Sequence, residues 1–139
     1  MMRAVKLATA VGCVTFLLAA HADAANVRVR CEKRGTARSK ISVDGNDLLP
    51  GSYRARVTSG ANSATSGAQQ AVGDQAEFDF DSDAGDIAAP PAGEGATPIG
   101  ANFITITAGP NNDVKGEIFS GATATGTAVV SSSVDCRQK

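Results

Sequence analysis

Residues Glu77–Asp86 read EFDFDSDAGD, and the first five alternate strictly between acidic and aromatic side chains. Successive side chains on a β-strand point to opposite faces. A strand here therefore places Phe78 and Phe80 on one face, with Ala76 just ahead of them, and Glu77, Asp79 and Asp81 on the other. A helix would scatter both sets around its circumference. Ser82, Asp83, Ala84 and Gly85 break the alternation with turn-forming residues. The stretch thus predicts a half-buried strand that runs into an acidic loop.

The same two-residue period recurs on both sides of it. NVRVRCEK sets Val27, Val29 and Cys31 against Arg28, Arg30 and Glu32. SKISVDGN points Ile41 and Val43 inward and ends in a turn at Asp44-Gly45, and Leu49-Pro50-Gly51 makes a second turn. SYRARVTSG turns Tyr53, Ala55 and Val57 inward and Arg54 and Arg56 outward. Two further strands are expected in NFITITAG and DVKGEIFSG, separated by Gly109-Pro110-Asn111-Asn112. The last lies in TAVVSSSVDC, where Ala128, Val130, Val134 and Cys136 share a parity. Residues 59–70 read as a weak edge strand or a long hairpin loop. Residues 84–100 contain Pro90-Pro91, which has no place inside a ladder, and read as an exposed crossover between sheets. No helical stripe competes with this pattern. The expected fold class is all-β, an antiparallel Ig-like or transthyretin-like β-sandwich of about seven or eight strands.

The chain opens MMRAVKLATAVGCVTFLLAAHADA. Arg3 and Lys6 precede the apolar run Leu7–Ala20, and Ala22 and Ala24 are small residues at the positions a signal peptidase reads. This is the pattern of a secretory signal over residues 1–24, its apolar run shorter than the roughly 20 residues of a membrane span. Acylation of Cys13 as a lipoprotein is the alternative. The expected product, residues 25–139, is one domain outside the cytoplasm, secreted or periplasmic.

Removing 24 of the 139 residues leaves 115, without His, Met or Trp, and with two cysteines, Cys31 and Cys136. In an oxidising compartment they form one disulfide joining the first strand to the last. Arg3, Lys6 and Asp23 leave with the signal, so 13 basic and 14 acidic residues become 11 and 13, a net charge of −2. That charge, with a single Tyr and few other aromatics, excludes a nucleic-acid surface.

The segment VDGNDLLPGSYRARV, Val43–Val57, resembles the strand, turn and strand of transthyretin-like and Cna-B-like sandwich modules through Leu49, Gly51 and Tyr53. The resemblance implies a surface or binding module and transfers no functional residues.

The acidic loop is the one candidate metal site. Alternate carboxylates on a strand are spaced ~6.5–7 Å apart, too far to share one calcium ion. Only the chain beyond the strand can curl, so the candidate calcium ligands are Asp81, Asp83 and Asp86. An EF-hand is excluded, because Ala84 or Asp86 stands where its glycine belongs, and Pro90 or Ala92 where its final acid belongs. The structural reading of the same residues rests on charge. Residues 25–56 hold eight basic and three acidic side chains, and residues 57–113 hold eight acidic and no basic ones. Carboxylates in a row need cations beside them, and Arg54 and Arg56 offer the matching spacing, as do Arg28 and Arg30. The acidic strand is therefore expected beside Tyr53–Val57, interleaved with Arg54 and Arg56.

Without histidine there is no Ser-His-Asp or Cys-His site and no ordinary zinc or copper centre. Ser131-Ser132-Ser133 reads as ordinary strand polarity. The expectation is a non-catalytic binding or interaction module without cofactor, contacting an unknown macromolecule through loops 59–70 and 84–100 or through an edge strand. A calcium-stabilised adhesive or fimbria-like structural subunit is the alternative.

Overall fold

The computed structural model describes residues 24–139; the expected signal segment, apart from Ala24, and Cys13 lie outside them. In chain order the elements are β1 (Asn26–Arg34), β2 (Arg38–Asn46), β3 (Ser52–Ser59), β4 (Asn62–Thr65), β5 (Gln69–Gln70), β6 (Ala76–Asp81), the single-turn α1 (Ala84–Ile87), β7 (Thr97–Pro98), β8 (Val114–Ser120), β9 (Val130–Val134) and β10 (Arg137–Gln138). The chain is mostly β. One sheet has the order β10-β1-β2-β6-β7, and the other β4-β3-β8-β9, with β5 also against β3.

The alternation read from the sequence sets the inner faces. Val29 of β1, Ile41 and Val43 of β2 and Phe78 and Phe80 of β6 face Tyr53, Ala55 and Val57 of β3 and Val114 and Ile118 of β8 in one core. The sheets approach closely at two glycines. A Cβ on Gly116 would lie 2.6 Å from Val29 Cγ2, and one on Gly45 2.5 Å from Ile118 Cδ1, so any side chain there would wedge the sheets apart. At the entry to β3 the Tyr53 hydroxyl donates to the Leu49 carbonyl at 2.7 Å, fixing the turn between β2 and β3.

The Cys31–Cys136 disulfide is present. Its position gives the bridge a specific task. Cys136 lies where the chain leaves β9 in one sheet and enters β10 in the other, so the bond pins the crossing point to β1. Buried Asp113 supports the same crossing, accepting the Cys136 N–H at 2.8 Å and the Thr107 N–H at 2.7 Å.

Four expectations need correction. Asp44-Gly45 is not a turn but part of β2, which pairs on to Asn46; the reversal comes at Asp47, whose φ is +55°. Pairing is not uniformly antiparallel, since β1–β10 and β6–β7 run parallel, each as a two-residue contact. NFITITAG is not a strand. Phe103 and Ile104 are buried, but the backbone there is held by side chains rather than by a ladder. Ser39 Oγ donates to the Ala101 carbonyl and accepts the Ile104 N–H, Ser59 Oγ accepts the Thr105 N–H, and Asn62 Nδ2 donates to the Phe103 carbonyl. The two serines belong to opposite sheets, so the segment crosses the gap between them, where among the described residues no strand pairs with it. Finally, the acidic strand β6 does not lie beside β3. Its neighbours are β2 and β7.

Candidate functional site

The densest group of ionisable side chains lies on the outer face of the first sheet, where β2 meets β6. The register places Lys40 opposite Asp81, Ser42 opposite Asp79 and Asp44 opposite Glu77. Ser42 Oγ donates to Asp79 Oδ1 at 2.5 Å, and Arg30, one strand further over on β1, reaches Asp44 at 2.7 Å. Of the β6 carboxylates Asp81 is paired with cations, Arg38 and Lys40, and these come from β2 rather than from β3; Asp79 is met by the Ser42 hydroxyl, and Arg30 serves Asp44 of β2.

Asp81 is wholly buried. The Arg38 guanidinium meets it edge-on, Nε donating to Oδ1 at 2.9 Å and Nη2 to Oδ2 at 2.5 Å, while the Asp83 N–H donates to Oδ1 at 2.9 Å. Arg38 Nη2 also donates to Asp86, and Lys40 Nζ lies 3.1 Å from Asp86 and 3.0 Å from Glu94. The two cations therefore tie the end of β6 to both arms of the loop formed by residues 82–100.

The loop closes on itself around Asp86, whose carbonyl accepts the N–H groups of Glu94 and Ala96 at 3.1 Å each. Gly95 N–H reaches the Ala88 carbonyl at 2.9 Å, and Ile99 N–H the Asp81 carbonyl at 2.9 Å. Gly93 makes this closure possible, because a Cβ there would lie 2.0 Å from the Gly85 carbonyl oxygen and 2.5 Å from that of Ala88. The expected exposed crossover is thus a compact loop lying over the ion pairs, with Ala96 buried beneath it and Pro90, Pro91 and Ala92 exposed at its tip.

The charges hold each other in place. The hydrogen bond from Lys40 keeps Asp86 below the usual carboxylate range. Partial burial works against the charge on Lys40, but Glu94 and Asp86 more than offset it and its pKa is raised. The Asp81 hydrogen bond raises that of Arg38.

A second cluster occupies the outer face of the other sheet. Arg56 directs Nε and Nη2 to one oxygen of Glu117, at 3.0 and 2.9 Å, and lies 4.7 Å over the Phe119 ring. Lys115 reaches the other oxygen of Glu117 at 2.8 Å. Burial alone would raise the Glu117 pKa, but Lys115 and Arg56 hold it lowered. Arg54, expected to serve β6, donates instead to the Ser66 carbonyl at 3.0 Å.

Of the three candidate calcium ligands, Asp81 and Asp86 come together, but on Arg38. Asp83 caps α1, its Oδ1 accepting the Gly85 N–H at 2.9 Å. Among the described residues no group of three or more His, Cys, Asp or Glu is arranged to hold a metal ion. Sequence reasoning passed over Arg38, Lys40 and Glu94. Arg38 and Lys40 share the two-residue spacing of Arg54 and Arg56, so spacing alone did not choose between the pairs.

Ser131 stands opposite Glu117 and Ser133 opposite Lys115 along the β8–β9 ladder, in an ordinary alternating strand. Residues 59–70 contain β4, an edge strand against β3. Among the described residues no helix is long and apolar enough to cross a membrane. No protein-family model, curated protein or solved structure matches this chain.

Proposed function

We propose that this chain is a non-catalytic interaction module that works outside the cytoplasm, its two sheets forming an Ig-like or transthyretin-like sandwich. One observation carries the reading: the densest ionisable cluster is fully occupied in holding a loop. Arg38, Lys40, Asp81, Asp86 and Glu94 satisfy one another and fix residues 82–100 on the sheet face. A group that must move protons needs a free partner and an approach for substrate; a presented loop needs rigidity, which this cluster supplies. The disulfide supports an oxidising location. The Tyr53–Leu49 hydrogen bond resembles the tyrosine device that steadies corners in Greek-key sandwiches.

The test is to express the whole chain with a photo-crosslinking side chain at Ala92, on the loop tip, or at Gln70, in the exposed short strand β5. The reading expects protein recovered outside the cytoplasm with its disulfide formed, and a discrete macromolecular adduct from at least one position. It expects the Ala92 adduct to be lost when Arg38→Met releases the loop. Cytoplasmic retention with free thiols, or export without adducts from either position, would overturn it.

A further inference from the structure

The nine-residue strand β1 is paired along one side only. On that side it meets β2 without a break, from Asn26 opposite Asn46 to Arg34 opposite Arg38. On the other it meets β10 at Glu32 and Lys33 alone. The Lys139 N–H donates to the Lys33 carbonyl at 2.9 Å, so the backbone of Lys33 faces β10. Backbone groups alternate sides along a strand, so Val29 and Val27 present their N–H and C=O groups toward that same open side. Among the described residues no strand pairs with them there. A cleft of about 760 Å³ borders this edge from Val29 to Glu32, with Val29, Cys31, Val134 and Cys136 in its wall, and extends over the outer face to Lys40 and Ser42 of β2.

An open ladder beside a cleft is the geometry of strand addition, in which main-chain bonds supply affinity and alternate side chains supply selectivity. The inner positions of an added strand would meet the half-buried Val27, Val130 and Val134. The outer positions would meet the exposed Arg28 and Arg30 of β1, and of the arginines Arg30 and Arg137 also line the cleft. Arg28 and Arg137 make no salt bridge among the described residues. The nearby Glu32 is already held by Arg34 and Lys139, and the remaining lining carboxylate, Asp135, accepts the Asn112 N–H. A second copy fits poorly, because antiparallel pairing of two β1 edges would set arginines of one copy beside those of the other.

We propose that the open edge of β1 is a strand-addition site for an extended segment of another protein in which apolar and acidic residues alternate. The inference rests on the interaction-module reading and names its docking edge. The experiment uses the exported, disulfide-bonded protein with short labelled peptides of alternating valine–glutamate and valine–lysine, followed by fluorescence anisotropy and amide exchange. Saturable binding of the valine–glutamate peptide is expected, with exchange slowed at Val27 and Val29. Val27→Pro deletes a donor on the unpaired side of β1 and leaves the β2 ladder whole; it is expected to weaken binding roughly tenfold or more. Arg28→Glu with Arg137→Glu, both on exposed side chains, is expected to reverse the preference toward valine–lysine. No saturable binding, equal binding of both peptides by the native protein, or slowed exchange elsewhere would overturn the proposal, as would concentration-dependent self-association that Val27→Pro abolishes. If the loop positions still yield adducts while these peptides fail, the docking edge is wrong and the module reading stands.

Discussion

Two ion-pair systems of similar composition lie on opposite outer faces of this protein. In one, Arg38 and Lys40 meet Asp81 and Asp86 beneath the loop of residues 82–100; in the other, Arg56 and Lys115 meet Glu117 on the outer face of the second sheet. The acids differ modestly, the Asp81 side chain being 0% exposed and that of Glu117 11%, and the cations more, Arg38 at 21% against Arg56 and Lys115 at 35% and 49%. The difference lies in what covers them. A charge shut away from water depends on its partner, because nothing else solvates it; a charge at the surface always has water as a substitute.

The sharpest way to break this contrast is Arg38→Met. It leaves the Asp81 carboxylate buried with the Asp83 N–H at 2.9 Å and, as a cation, Lys40 at 3.7 Å. Stripping one partner from a buried pair costs about 3–5 kcal/mol, read as a lower urea midpoint at constant slope. Adding Asp81→Leu to that variant removes the orphaned charge and is expected to restore much of the loss. If the single and double variants unfold alike, Asp81 is not the buried charge that matters.

Lifting the cover is the next test. Gly93→Ala drives a methyl group into the Gly85 and Ala88 carbonyls. The loop has to open, at a cost of about 1–3 kcal/mol, and amide exchange at Glu94 and Ala96 is expected to quicken while β1–β2 amides hold. Unchanged exchange in the loop would mean that closure does not depend on this glycine.

Acid probes both faces at once. Asp86 and Glu117 are held lowered by their cations, and Glu32 is pulled down to about 2 by hydrogen bonds from Lys139 and Arg34. For groups with depressed folded-state pKa values, the stabilisation is present above the unfolded value, near 4.5 for Glu32, and disappears as pH falls toward about 2. The melting midpoint is therefore expected to hold between pH 7 and 5 and to fall steeply below 4. Glu32→Gln should shallow that fall, since one titrating group is gone; a slope identical to the parent's would remove Glu32 from the account.

Arg56→Ala is expected to be milder than Arg38→Met, about 1 kcal/mol, combining a partly screened pair that Lys115 still serves with the lost contact to Phe119. A cost equal to that of Arg38→Met would erase the contrast between the two faces. The smallest effect is expected from calcium. With Asp81 and Asp86 already neutralised by Arg38 and Lys40, millimolar calcium should leave the midpoint where it is. A clear upward shift would return Asp81, Asp83 and Asp86 to the role of ligands.

Much of this architecture was legible in one dimension. The period-two runs located β1, β3, β6 and β8, and the inward residues of the first three, because burial on one face of a strand leaves its mark on every second residue. The distant cysteines announced a closed ring. Local chemistry also made clear that a row of carboxylates needs cations. It left open which cations, since Arg38 and Lys40 look like Arg54 and Arg56 to any rule based on spacing. That choice belongs to strand order, which is settled only when the inner faces of β2 and β6 pack together and bring their outer faces into register. The same holds for NFITITAG, whose composition suits a strand but whose place, in the gap between sheets, offers serine hydroxyls where a ladder would need backbone. Patterning along a chain records which side of each segment meets water; which segment lies alongside is decided by contacts between residues far apart in sequence.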